Sequence, residues 1–247
     1  MSLKCLLCGH TGAVHLGSSC ETLPCCSWCL EEARELHPRE VSALIKLDQI
    51  KPVFSIWSAG RREDSLEVIA NHNAGTLPVP QPARAFPGIP LYIGDMDDAS
   101  DLQRLKELHV GSVVNLCAER IAYGYEHVPA QLALAGINHH ILIADDDRDF
   151  DIMQVADHAF GAIQARLAAS GENTGVLIHC WGGVNRSAAG AVAYLAIHCK
   201  VPLLTAIENA MTQRGTILTN HSFRKQLVRR CFKAGLDLGL SDVEGMD

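Results

Sequence analysis

The chain has 247 residues, 48% of them apolar and 20% charged, a balance that builds a full hydrophobic core and fits a soluble globular protein of one or two domains. A net charge of −7 without a Lys/Arg block excludes general nucleic-acid binding across the surface, and no uninterrupted apolar run of about 18 residues offers a membrane span. The opening Met1-Ser-Leu-Lys-Cys5-Leu-Leu-Cys8 lacks the apolar centre of a secretory signal, which predicts reduced thiols and a cytoplasmic location, with the nucleus left open.

Of ten cysteines, six crowd into the first thirty residues, at Cys5, Cys8, Cys20, Cys25, Cys26 and Cys29. Cys5-x2-Cys8 and Cys26-x2-Cys29 form two thiolate pairs of the kind that build a tetrahedral zinc site, and zinc would supply folding energy to a segment poor in core residues. Cys20, Cys25, His10 and His15 are further candidate ligands. Residues 1–50 are therefore expected to form a small Cys-rich, zinc-binding module able to dock a protein partner, with one or two short helices split at Pro38. Residues 75–90 hold five of the ten prolines. Proline fixes φ and biases its predecessor to extended geometry, so 51–87 reads as a stiff connector or edge segment. A second domain follows over 88–238.

In that domain strands and helices alternate. Strands are expected at Ile89–Ile93, Ser112–Cys117, His140–Ala144 and Val176–His179. A helix is expected over Asp101–Leu108 with Ser100 as N-cap. From Ile152 to Leu167 apolar residues fall on one helical face, at Ile152, Val155, Ala156, Ala159, Phe160, Ile163 and Leu167. Further helices are expected from Ser187 to Cys199, Leu203 to Gln213 and Asn220 to Ala234. The pattern predicts an α/β fold with a central, mainly parallel sheet flanked by helices. Ligands of such sheets lie beyond the carboxyl ends of the strands, where Cys180 falls.

Between that strand and the helix after it run Cys180, Trp181, Gly182, Gly183, Val184 and Asn185, followed by Arg186 and Ser187. Successive backbone N–H groups in such a loop can curl around a dianion, aided by the positive end of the helix. Gly182 and Gly183 permit the tight turn. Arg186 can hold two phosphate oxygens at once. The same field favours thiolate, making Cys180 a nucleophile, and Ser187 can donate to the sulfur as it leaves. A bare Cys-x5-Arg also occurs in sulfurtransferases, but Gly183, His179 and the aspartates upstream point to phosphate.

His179-Cys180-x-x-Gly183-x-x-Arg186-Ser187 resembles the signature of the protein tyrosine phosphatase superfamily, in its dual-specificity branch. Leu91-Tyr-Ile-Gly94, Val113-Val-Asn-Leu116, Ile141-Leu-Ile-Ala-Asp145 and Asn220-His-Ser-Phe-Arg-Lys-Gln-Leu227 resemble other parts of that domain in order and spacing. The resemblance implies hydrolysis of phospho-Tyr and phospho-Ser/Thr in proteins through a phosphocysteine on Cys180, with no cofactor for catalysis. It implies that Asn115 braces the loop and that Asp145 is the general acid.

One carboxylic acid can protonate the leaving group and then deprotonate water. The run Asp145-Asp-Asp-Arg-Asp149-Phe-Asp151 crowds carboxylates, which favours a protonated member. Asp147 is the second choice as the acid, Asp146 stays open, and Asp149 or Asp151 caps the next helix. His179 is expected to pack beside the loop and act through hydrogen bonds, not as a base. Trp181, Val184 and Asn185 carry no positive charge, which favours phosphoprotein over inositol lipid. RNA 5′-phosphate, phosphoinositide and glucan remain alternative substrates of the same chemistry, and a phospho-binding scaffold is a reading from another class. Cys117 is either a core residue or a resolving thiol for an oxidised Cys180.

Overall fold

The computed structural model describes residues 33–50, 82–117, 124–169 and 174–240, together with Leu7 and the short segments 14–16 and 23–25. The expected zinc ligands Cys5, Cys8, Cys26 and Cys29 lie outside the described residues. Among the described residues no group of three or more His, Cys, Asp or Glu could hold a metal ion, and no helix is long and apolar enough to cross a membrane.

Strands β1 (Val14–Leu16) and β2 (Leu23–Cys25) pair antiparallel. Helix α1 (Pro38–Gln49) follows. Pro38, where the helical stretch was expected to split, begins this helix, with residues 33–34 helical before the break. Its missing N–H is one that a helix start leaves unpaired anyway, and His37 and Glu40 close a reciprocal cap around it.

The main sheet has five strands in the order β3-β4-β7-β5-β6. Strand β3 (Ala83–Phe86) runs antiparallel to β4 (Ile89–Gly94) across the Pro87-Gly88 turn, where Gly88 takes a φ of +80°. Of the remaining strands, β7 (Gly175–His179) pairs parallel with β4 and with β5 (Val110–Asn115), and β5 pairs parallel with β6 (Asn138–Ile141). The sheet is thus mixed, parallel except at one edge. It begins at Ala83, inside the stretch read as connector, because Ala83–Phe86 holds no proline and Pro82 and Pro87 only flank it.

The helices are α2 (Met96–Ser100), α3 (Leu102–Glu107), α4 (Val128–Leu134), α5 (Ile152–Leu167), α6 (Arg186–Ile197), α7 (Leu203–Arg214) and α8 (His221–Lys233). The helix expected over 101–108 is α3, and α2 is a separate short helix before it. Asp101, not Ser100, caps α3, and the Ser100 hydroxyl donates to the Asp97 carbonyl at 2.8 Å. Strands expected at 112–117 and 140–144 both start and end about two residues earlier than the apolar runs suggested.

Both sheet faces are covered. On one, Leu105, Val128, Leu132 and Ala99 pack on Tyr92, Val113 and Leu177. On the other, α5 to α8 close over Leu91, Ile93, Val114, Val176 and Ile178. Strand β7, buried on both faces, is accordingly a continuous apolar run. Helix α6 is buried from Arg186 to Ala196 and is built of alanines and Gly190. A β-carbon at Gly190 would stand 2.7 Å from Ile178 Cδ1, so the missing side chain lets α6 lie directly against β7. Helix α1 joins the same core: Ala43, Leu44 and Leu47 are buried in it, His37 stacks on Phe232 at 4.6 Å, and Asp48 pairs with Arg224 at 3.3 Å.

Candidate active site

Strand β7 and helix α6 enclose a six-residue loop, and the apolar strand delivers Cys180 to the carboxyl edge of the sheet. The loop is tied down at its first residue: Cys180 N–H donates to the Gly94 carbonyl at the end of β4, 3.3 Å away. Cys180 Sγ lies 3.3 Å from Ser187 Oγ, and that hydroxyl is 3.4 Å from the same Gly94 carbonyl. A hydroxyl carries one proton. It can donate to Gly94 while the sulfur is protonated or esterified, and turn to the sulfur when that becomes a thiolate.

Asn185 sits at the N-cap of α6 without capping it. Its amide group donates to Asp146 Oδ2 at 3.0 Å, and its Oδ1 accepts from Thr219 Oγ1 at 3.1 Å and from Asn220 N–H at 3.0 Å. The first-turn N–H groups of α6, which have no intrahelical partner, therefore face the loop without a side-chain acceptor, as an anion site requires. Arg186 is buried, and its Nη1 donates to the Ala144 carbonyl at 2.9 Å. The guanidinium thus joins the phosphate loop to the loop that carries the aspartates.

The two glycines differ. Gly183 has a φ of +66°, and a β-carbon there would lie 2.3 Å from Arg214 Nη2 and 2.9 Å from the carbonyl of Gly94. A β-carbon at Gly182 would meet only Val184 Cγ2, at 3.8 Å. The turn thus demands glycine at 183 and not at 182. Val184 is buried and its carbonyl accepts from Leu218 N–H at 2.9 Å. Trp181 is 40% exposed at the mouth, with the Tyr125 ring edge-on at 6.1 Å.

The aspartates have separate partners. Asp146 accepts from Asn185 and, at 3.0 Å, from Asn220 Nδ2. Asp147 accepts from Asp149 N–H at 2.9 Å, Asp149 pairs with Arg148 at 3.5 Å, and Asp151 caps α5. Asp145 is exposed and, among the described residues, its carboxylate is engaged by no side chain. It follows directly on Ala144, the residue that Arg186 holds.

His179 is buried beneath the loop, and burial, then His139 and Arg186, push its pKa down to about 3, so it is neutral and no base. Asn115 is buried at the end of β5, level with His179, but its Oδ1 accepts from Cys117 N–H at 2.8 Å. That bond shapes the end of its own strand. Cys117 Sγ lies 3.5 Å from Met96 Sδ in the core.

One group escaped the sequence reading. Arg214, with no side-chain exposure, pairs with Asp95 at 2.9 Å and Asp98 at 2.8 Å directly behind Gly183. Asp95-x-x-Asp98 is legible as a capping box after Gly94, yet nothing in the sequence tells that Arg214, far along the chain, meets it.

The profile of the dual specificity phosphatase catalytic domain matches residues 91–230, more than half of the chain. The chain belongs to the dual-specificity phosphatase family. It is thereby one of the cysteine-dependent protein phosphatases. Human dual specificity protein phosphatase 26 is 31% identical over 154 residues, covering 62% of this chain and 69% of that protein. A probable dual specificity protein phosphatase of Dictyostelium discoideum is 30% identical over 148 residues, and the chain spans 61% of its length. The fold matches the crystal structure of human DUSP28, with a TM-score of 0.52, 23% identity and 64% of this chain against 97% of that one. It also matches the Yvh1 phosphatase domain of Chaetomium thermophilum, with a TM-score of 0.52, 20% identity, 62% of this chain and 96% of that one.

Proposed function

We propose that this phosphatase hydrolyses phospho-Tyr and phospho-Ser/Thr in proteins through a phosphocysteine on Cys180. The observation that carries the reading is the 3.3 Å contact of Cys180 Sγ with Ser187 Oγ at the uncapped N-terminus of α6. A phosphoryl group seated there has its oxygens toward backbone N–H groups and Arg186, which stabilise the charge of the transition state. Cys180 sulfur attacks phosphorus, the S–P bond forms, and the bond to the leaving oxygen breaks as Asp145 gives that oxygen its proton. Water then attacks the phosphocysteine, losing a proton to the Asp145 carboxylate. The S–P bond breaks, phosphate leaves, and Ser187 donates its hydroxyl hydrogen bond to the departing sulfur.

Phosphoprotein fits better than inositol lipid, because Trp181, Val184 and Asn185 put no positive charge in the loop and the Asn185 side chain is engaged with Asp146 and Asn220. The test is hydrolysis of an aryl phosphate and of phosphopeptides by the full chain, with vanadate inhibition and the Cys180→Ser variant as controls. Turnover that survives in Cys180→Ser, or no turnover of any phosphopeptide by the wild type, overturns the reading.

A further inference from the structure

We propose that Arg214, clamped by Asp95 and Asp98, is a positioning residue that fixes the curvature of the phosphate loop through Gly183 and so sets the affinity of the site for an oxyanion. The inference rests on the reading of the Cys180 loop as the phosphate site. It adds a group that touches neither the sulfur nor the substrate.

Three observations converge. Gly183, the residue with the left-handed φ, lies so close to Arg214 Nη2 that no β-carbon fits between them. The guanidinium is itself fixed, with no side-chain exposure and a carboxylate on each outer nitrogen, Asp98 on Nη1 and Asp95 on Nη2. Those carboxylates start α2, the helix that follows Gly94, and Gly94 carries the carbonyl that accepts from Cys180 N–H and from the Ser187 hydroxyl. Arg214 therefore wedges the middle of the loop while Gly94, one residue from the clamp, pins its start. The chain beyond Arg214 holds the far side through Leu218 N–H and the Val184 carbonyl. A loop of backbone donors works as an anion cradle only at one curvature, and a displacement of about 1 Å is enough to cost such a site a hundredfold.

The clamp also carries charge. With both carboxylates ionised it holds two negative charges against one positive, beneath a loop that receives a dianion. Burial raises the pKa of Asp98 to about 7, against the pull of Arg214 and with the help of Asp95. The charged neighbours of Asp98 are Asp95 on its own helix and Arg214 from α7, while β4 and β7 present Gly94 and Leu177. Below neutrality the clamp is uncharged overall. Above it a net negative charge opposes the incoming oxyanion, so affinity falls as pH rises through that range.

The experiment is calorimetric binding of tungstate, kept dilute so that it stays the monomeric dianion, to the full chain at about pH 6 and about pH 8, alongside KM and kcat for an aryl phosphate. Arg214→Lys keeps the cation but loses the two-armed clamp, and Arg214→Met removes both. Tungstate affinity is expected to drop about tenfold in Arg214→Met, with kcat/KM falling at least as far because the same loop donors hold the transition state, and partial rescue in Arg214→Lys. Asp98→Asn keeps an acceptor for Arg214 and for the Asp95 N–H, and is expected to hold its affinity at the higher pH where the wild type weakens. Wild-type affinity in both Arg214 variants overturns the proposal, as does a wild-type pH profile in Asp98→Asn. Should Arg214→Met fail to fold, Arg214→Lys and Asp98→Asn decide alone. A wild type that binds tungstate but turns over no phosphate ester overturns the proposed function instead, and the binding arm still reads the clamp.

Discussion

Asn185 of the phosphate loop and Asp146 of the acid loop share a hydrogen bond of 3.0 Å, and Asn220 at the start of α8 binds both residues. Gln226 adds a second fastening on the same helix, donating to the Phe150 carbonyl at 2.8 Å and accepting from Ile152 N–H at 3.0 Å. The acid loop is therefore set against the phosphate loop before any substrate arrives. Asp145 lies next to this latch, exposed and outside it.

This arrangement separates neighbouring aspartates by kinetics. Asp145→Asn is expected to lower turnover of poor leaving groups by about 10²–10⁴-fold and to spare activated aryl phosphates. Asp146→Ala is expected to lower both alike, by about tenfold, through loss of alignment. Rates across a series of aryl phosphates of graded leaving-group pKa check the difference, and a leaving-group dependence confined to Asp146→Ala would move the acid to Asp146.

Gly183→Ala places a methyl group against Arg214 and Gly94 and strains a φ of +66°. The expected cost is about 1–3 kcal/mol of stability together with most of the activity. Gly182→Ala meets only Val184 and is expected to fold like the wild type. Thermal unfolding of the pair in parallel checks this.

His179 makes stability depend on pH in a definite direction. Burial first, then His139 and Arg186, lowers its pKa from 6.5 to about 3. The unfolded chain thus binds a proton that the folded chain refuses, so its contribution is present above pH 6.5 and is lost as pH falls toward 3. Tm measured at about pH 7 and about pH 5 is expected to drop less in His179→Leu than in the wild type, while His139, shifted the same way, keeps part of the drop. Equal drops in both proteins would remove His179 as a cause.

Helix α1 lies outside the region shared with the family profile, yet Leu44 and Leu47 are 2% and 0% exposed against the core of the phosphatase domain. Leu47→Ala is expected to cost about 2–5 kcal/mol of global stability, and residues 80–247 alone should unfold well below the full chain. Chemical denaturation of both proteins measures it. A single unchanged transition in the shorter chain would make α1 an ornament.

The sequence was most legible where local chemistry and fold agree. The apolar stripe from Ile152 to Leu167 is the helix bounded as expected, because Asp151 caps it and periodicity alone sets its face. Strand β7 and the start of α6 were readable from an apolar run followed by glycine and Arg-Ser. Short elements were not: α4 carries Pro129 and only two buried apolar residues, too few for a periodicity to show. The Arg214 clamp was invisible for a different reason. Its carboxylates lie 119 and 116 residues away in sequence, and charged residues are read by default as solvated until a fold brings them together.

The contact between Gly183 and Arg214 also constrains how this site can change over generations. A side chain at 183 would still meet the Gly94 backbone at 2.9 Å and a φ of +66° after residue 214 were shortened, and shortening residue 214 strands Asp95 and Asp98 without their cation. Glycine at 183 is therefore fixed, while a coordinated set of replacements at 214, 95 and 98 can be tolerated where each single step is damaging. Lineages that depart from this arrangement should therefore have changed these positions together.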